Sequence, residues 1–220
     1  MSREPFPGTI TSVVAQERTR RHLGTRVNVF INERFSFALD LTLAERHGLR
    51  RGLVITPALL DELLREDGDA RAYARALHFL SYRLRTRREI EERLQRDEWP
   101  YAVIERVLAR LQREGQVNDE QFAAAWVESR SLSRPRGARA LQFELRQKGV
   151  DRENIQGALP DTEQEIANAA EALRRKEREY SRFDERTRRD KMLAFLQRRG
   201  FNFSTAKAAL ARLQDEEASA

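Results

Sequence analysis

Residues 139–159 read RALQFELRQKGVDRENIQGAL, and the fold is decided by how this stretch is read. Leu141 and Leu145 stand four apart and so share one helix face, Val150 follows Gly149 at a turn, and Ile155 and Leu159 are again four apart. That is the pattern of two short helices packed face to face, with an apolar residue closing the turn between them. The stretches 88–108, REIEERLQRDEWPYAVIERVL, and 190–210, DKMLAFLQRRGFNFSTAKAAL, match it without a gap. Ile90, Leu141 and Met192 correspond, as do Leu94, Leu145 and Leu196, and Trp99, Val150 and Phe201. Ile104, Ile155 and Ala206 follow, then Leu108, Leu159 and Leu210, every step being 51 residues.

A further helix precedes each pair, around 70–85, 119–131 and 162–180, which gives three tandem three-helix modules. Thr86 with Glu89, Asn118 with Gln121 and Asp161 with Gln164 have capping-box spacing, and Gly115, Gly149 and Gly200 stand where helices should end. Stacked modules of this kind offer serial faces to long partners such as filaments.

Upstream the period changes from helical to alternating. Apolar and polar residues alternate on both sides of Asn32-Glu33-Arg34, the mark of a β-hairpin, and 9–16 can supply a third strand. Residues 41–47 then turn helical and stop at Gly48, and Thr56-Pro57 opens a helix expected to run to about residue 66. The expected fold is mainly α: three tandem three-helix repeats behind a small antiparallel β-hairpin or β-sheet unit. The units are placed at 1–69, 70–115, 116–160 and 161–220.

The 220 residues carry 41 Lys and Arg against 35 Asp and Glu, a net charge of +6 that is almost wholly arginine. Residues 70–115 hold 11 basic against 7 acidic residues, the largest local excess. This balance suits a nucleic-acid or nucleoprotein partner, although a solvated, salt-bridged helical surface gives similar numbers. The absence of cysteine removes disulfides and thiolate chemistry, and His22, His47 and His78 are too scattered for a metal site. No phosphate-binding glycine loop and no apolar run of membrane-spanning length occur, so a cytoplasmic protein without cofactor, metal or catalytic residues is expected.

Arginine is concentrated at two matching places in the repeat. Arg83, Arg85, Arg87 and Arg88 precede the first paired stretch; Arg130, Arg134, Arg136 and Arg139 surround Pro135 and Gly137 before the second, with no acidic residue between Glu128 and Glu144. Guanidinium forks fit phosphate or carboxylate, and cations are disfavoured at a helix N-terminus unless something else uses them. These eight are the candidate partner-binding residues; a solvated charge run is the plainer alternative. The basic stretches 174–176 and 186–191 are interleaved with acids, which points to pairing within helices. Trp99, Phe122, Trp126 and Phe201 fall at turn or core positions and read as packing residues.

Leu80-Ser81-Tyr82-Arg83, Glu89-Ile90-Glu91-Glu92-Arg93-Leu94 and Val103-Ile104-Glu105-Arg106-Val107-Leu108 resemble the first repeat of the RecX family. The second repeat is more specific: Asn118-Asp119-Glu120-Gln121-Phe122-Ala123, Trp126-Val127-Glu128-Ser129-Arg130 and Leu145-Arg146-Gln147-Lys148-Gly149-Val150. The chain departs from the pattern at Glu98-Trp99-Pro100, where the family has a glycine, an aromatic and an acidic cap. The resemblance implies a non-enzymatic regulator that binds the RecA recombinase filament, with DNA as a further partner. It would lower recombinase, ATPase and coprotease activity. Nothing in the sequence suggests an obligate oligomer, and a monomer is expected. A direct DNA-binding architectural or transcriptional protein is the alternative.

Overall fold

The computed structural model describes residues 4–16 and 26–218. Four strands, β1 (Gly8–Ala15), β2 (Arg26–Ile31), β3 (Arg34–Asp40) and β4 (Val54–Ile55), form one antiparallel sheet in the order β3-β2-β1-β4. The β2–β3 turn places Asn32 and Glu33 at φ 50° and 63°, the left-handed pair that a two-residue hairpin turn needs. Alternate residues Val27, Val29 and Ile31 point into one core with Ile10, Phe37 and Leu39, and α1 (Leu41–Arg46) and α2 (Pro57–Leu80) close it through Leu43, Leu60 and Leu63.

The sequence reading splits 57–85 into two helices; the structure has one, α2, which carries straight through residues 69 and 70. An interior glycine such as Gly68 costs a helix only about 1 kcal/mol. Its neighbours anchor the segment. Buried Asp67 accepts both terminal nitrogens of Arg26, at 2.9 and 3.0 Å, and the backbone N–H of Asp40 at 3.0 Å, while Asp69 takes a two-pronged contact from Arg106 at 2.7 Å. The short strand β4 was also not foreseen, since two residues carry no period.

The remaining helices are α3 (Arg87–Arg96), α4 (Tyr101–Arg113), α5 (Asp119–Ser133), α6 (Ala138–Gln147), α7 (Arg152–Ala158), α8 (Thr162–Arg174), α9 (Glu177–Tyr180), α10 (Glu185–Arg198) and α11 (Phe203–Ala218). By contact the chain divides into two units, Met1–His78 with Leu94–Ala109, and Phe79–Arg93 with Arg110–Ala220. In the second unit, α5, α6 and α7 enclose Phe122, Val127, Leu141, Leu145, Val150 and Ile155. α8, α10 and α11 enclose Leu173, Met192, Leu196, Phe201, Ala206 and Leu210. The helix expected over 162–180 is broken at Arg175 into α8 and α9.

Successive modules are joined in the same way twice. At the first junction Thr86 donates its hydroxyl to the Lys148 carbonyl at 2.7 Å, and the Arg87 backbone N–H donates to Asp119 at 2.9 Å. At the second, the Gly137 N–H donates to the Arg199 carbonyl at 3.0 Å and the Ala138 N–H to Glu165 at 2.7 Å. Thr86 and Gly137, Arg87 and Ala138, and Lys148 and Arg199 are each 51 residues apart, so the interface repeats with the sequence. The turn glycines sit at φ 81° (Gly149) and 88° (Gly200), and a Cβ there would lie 2.3 Å from Arg88 Cδ and 2.5 Å from Ala140 Cβ. Glu98, one step before Gly149, also adopts the left-handed conformation, at φ 62°, and is exposed.

Candidate functional site

One arginine of each cluster, Arg88 and Arg130, lines a shared cleft. Helix α3 begins at a capping box in which Thr86 Oγ1 accepts the Glu89 N–H at 3.2 Å, and this fixes where Arg88, Glu89 and Glu92 project. Opposite them, Trp126 and Arg130 from α5 and Glu144 and Lys148 from α6 and its end complete a cleft of about 390 Å³. Glu89 receives Arg83 at 2.9 Å and Lys148 at 2.7 Å; Arg88 pairs with Glu92 at 2.8 Å. Glu144 receives Arg130 at 2.8 Å, Arg136 at 3.0 Å and the Trp126 indole N–H at 2.8 Å. The Arg130 guanidinium lies 4.3 Å and the Lys148 ammonium 5.4 Å from the centre of the Trp126 ring, which also stacks with Phe122. Trp126 is thus half-buried, packed against the core of its module on one side and part of a charged wall on the other.

Burial would push the Glu89 carboxyl up, but the hydrogen bonds from Arg83 and Lys148 and their charges hold it below its ordinary value. Asp119 goes the other way: burial raises it despite the N–H bond from Arg87. Such a cleft holds its cations in fixed positions through carboxylates, and an incoming acidic group or phosphate can compete for the same guanidinium donors.

The eight candidate arginines do not behave alike. Arg83, Arg88, Arg130 and Arg136 are held in the ion pairs just described. Arg85 lies 4.0 Å from the Phe79 ring centre with its Nε buried and without a hydrogen-bond partner, and burial, then the charge of Arg83, lowers its pKa. Arg87 is half-buried beside the junction. Arg134 and Arg139 are exposed and form no ion pair among the described residues.

Two arginines that the sequence reading did not single out join this set. Arg175 donates to the carbonyls of Ser133 at 2.7 Å and Leu132 at 3.0 Å, and Arg199 to that of Pro135 at 3.2 Å. Burial and then the charges of Arg136, Arg134 and Arg175 lower the pKa of Arg199. A signal was present, since Arg199 is the repeat partner of Lys148. By the same step, Arg83, Arg85 and Arg88 match Arg134, Arg136 and Arg139, whereas the third module has Glu185, Thr187 and Asp190 there. Intrahelical pairing of the later basic stretch is present at Arg175–Glu171 (2.9 Å) and Arg174–Glu171 (3.2 Å).

Among the described residues no group of His, Asp and Glu could hold a metal ion, and no helix is long and apolar enough to cross a membrane. His47 faces Glu66 at 3.2 Å, and His22 lies outside the described residues.

A small sheet followed by three interlocked three-helix modules defines a tandem-module helical protein. Family descriptions match along its length: the regulatory protein RecX N-terminal domain over residues 8–56, and the first, second and third RecX three-helix domains over 72–111, 118–159 and 163–210. The chain belongs to the RecX family of regulatory proteins. It is 30% identical over 212 residues to the regulatory protein RecX of Bacillus subtilis (strain 168), covering 94% of this chain and 78% of that one. The RecX protein of Bacillus cytotoxicus is 28% identical over 210 residues, with the same coverage of 94% and 78%. A crystal structure of a regulatory protein RecX superposes with a TM-score of 0.74 at 25% identity, covering 92% of this chain and 98% of that one. RecX from Lactobacillus salivarius, at 23% identity and TM-score 0.63, shares the fold over 68% of this chain and 98% of its own.

Proposed function

We propose that this chain is a non-enzymatic regulator that binds a RecA recombinase filament on DNA and lowers its recombinase, ATPase and coprotease activities. The observation that carries the reading is family membership over nearly the whole chain, together with modules that repeat both in sequence and in the way they interlock. A filament presents the same surface again and again, and a protein with serial equivalent faces can engage it with several weak contacts at once. The arginines of the first two modules are the proposed contacts, meeting acidic side chains of the recombinase or DNA phosphates: Arg83, Arg85, Arg87, Arg88, Arg130, Arg134, Arg136 and Arg139. The chain acts stoichiometrically, as a monomer, in the cytoplasm.

Direct DNA binding is the second reading, favoured by the gathering of Arg134, Arg136, Arg175 and Arg199 around one loop. One experiment separates the two: single-stranded-DNA-dependent ATP hydrolysis by RecA, titrated with this protein, beside binding to the same DNA alone at the same salt. Inhibition at concentrations well below those that bind bare DNA is the expected result. Tight binding to bare DNA with no effect on hydrolysis would replace the filament reading with the direct one.

A further inference from the structure

The third module has an open groove between its last two helices. Between α10 and α11 lies a space of about 420 Å³ with Met192 and Leu210 at its floor. Phe203 at its edge is 59% exposed, and Leu193 and Leu213 are half-buried beside it. The rim is cationic, with Arg188, Arg189 and Lys207 against the single carboxylate Glu185. At one end Lys191 and Arg182 stand 4.6 and 5.1 Å from the ring centre of Phe183. Arg189 and Lys207 form no ion pair among the described residues.

The repeat shows what meets the Arg188–Arg189 edge of this groove in the other modules. Arg188 and Arg189 stand 51 residues after Gly137 and Ala138, which receive the Arg199 turn and the Glu165 carboxylate of the next module. One step earlier, Thr86 and Arg87 receive the Lys148 turn and Asp119. In both cases the covering element brings a carboxylate carried on a helix. In the third module arginine stands where those junctions use backbone N–H groups.

An occupant must therefore bring carboxylates for the rim and apolar side chains for the floor. A nucleic-acid backbone would satisfy the rim and leave Phe203, Leu193 and Leu213 uncovered. We propose that this groove docks an acidic amphipathic helix of a partner protein, its apolar residues seated on Met192, Leu193 and Phe203 and its carboxylates on Arg189 and Lys207. Exposed apolar surface with a charged rim is the usual form of such a site.

The test uses the full chain and a labelled helical peptide of about 16 residues, leucines on one face and glutamates on the other, followed by fluorescence polarisation. Binding on the order of micromolar is expected, weakened about tenfold or more by Lys207→Glu and by Phe203→Ser. Both side chains are exposed, so the circular dichroism of each variant should equal that of the parent. Equal binding of a peptide with lysine in place of glutamate, or binding indifferent to both substitutions, would overturn the assignment. So would displacement of the peptide by a single-stranded oligonucleotide. The readout contains no recombinase, so a failure of the filament reading leaves this result intact, and the reverse also holds.

Discussion

Asp119, the first residue of α5, accepts the backbone N–H of Arg87, the first residue of α3, across 32 positions of sequence at 2.9 Å. One helix is thus capped by another belonging to the next module, and Glu165 repeats the device on Ala138 at 2.7 Å. Removing a cap leaves a helix-terminal N–H without its partner, which costs about 1–2 kcal/mol. Asp119→Ala should lower the unfolding free energy by that amount in urea titrations, and Asp119→Asn, which keeps the acceptor oxygen, by less. Equal loss from both would mean that charge, not the cap, holds the junction.

The two half-buried carboxylates near this junction respond to pH in opposite senses. Glu89 is held below its ordinary value of 4.5 in the folded chain, so its stabilisation is present above that pH and is lost as pH falls through the folded value. Asp119 is raised, so its contribution is fully present below 3.8 and is lost as pH rises through its folded value. Glu89→Gln should flatten the acid side of the stability profile. Asp119→Asn should remove a contribution that declines with rising pH, leaving a steeper net increase. Thermal unfolding at a series of pH values measures both.

Gly200→Ala should destabilise the chain by about 3 kcal/mol, from left-handed strain plus overpacking. The added carbon would lie 2.6 Å from the backbone nitrogen of Ala140. Gly149→Ala should cost a similar amount, because the clash includes the Arg88 Cβ at 2.6 Å, which no change of rotamer moves. Glu98→Gly at the matching position should stabilise by up to about 1 kcal/mol, since it relieves strain and Glu98 is exposed. Differential scanning calorimetry of the three variants orders them.

Arg134 and Arg139 form no ion pair among the described residues, so Arg134→Ala with Arg139→Ala should leave helical content unchanged. On the filament reading it should weaken binding to the RecA–DNA filament by about 1–3 kcal/mol. Unchanged affinity would remove the loop from the interface. Substitutions at Glu185 and Asp190, their counterparts in the third module, should have little effect on that binding.

Much of this was legible in the sequence because it is local. The 51-residue step, the capping boxes and the hairpin turn are patterns over a few residues, and the cores at Leu141, Leu145 and Ile155 follow from helical spacing. The helix through Gly68 was misjudged because its support comes from Arg26, distant in sequence. The stretch 129–143 reads as an unopposed cationic run, yet Glu144, two turns into α6, reaches both Arg130 and Arg136. Arg175 and Arg199 approach the 132–135 loop only through the stacking of one module on another. No window along the chain contains that contact.

The direction of the shared caps has a consequence for how the chain is made. Asp119 completes a helix that began 32 residues before it, and Glu165 one that began 27 residues before it. During synthesis the first two modules leave the ribosome with one N–H at the start of the middle helix, that of Arg87 or Ala138, still lacking its carboxylate, and the arrival of the successor supplies it. For these two modules the order of translation is therefore also the order of completion, while the third caps its own middle helix through Asp184.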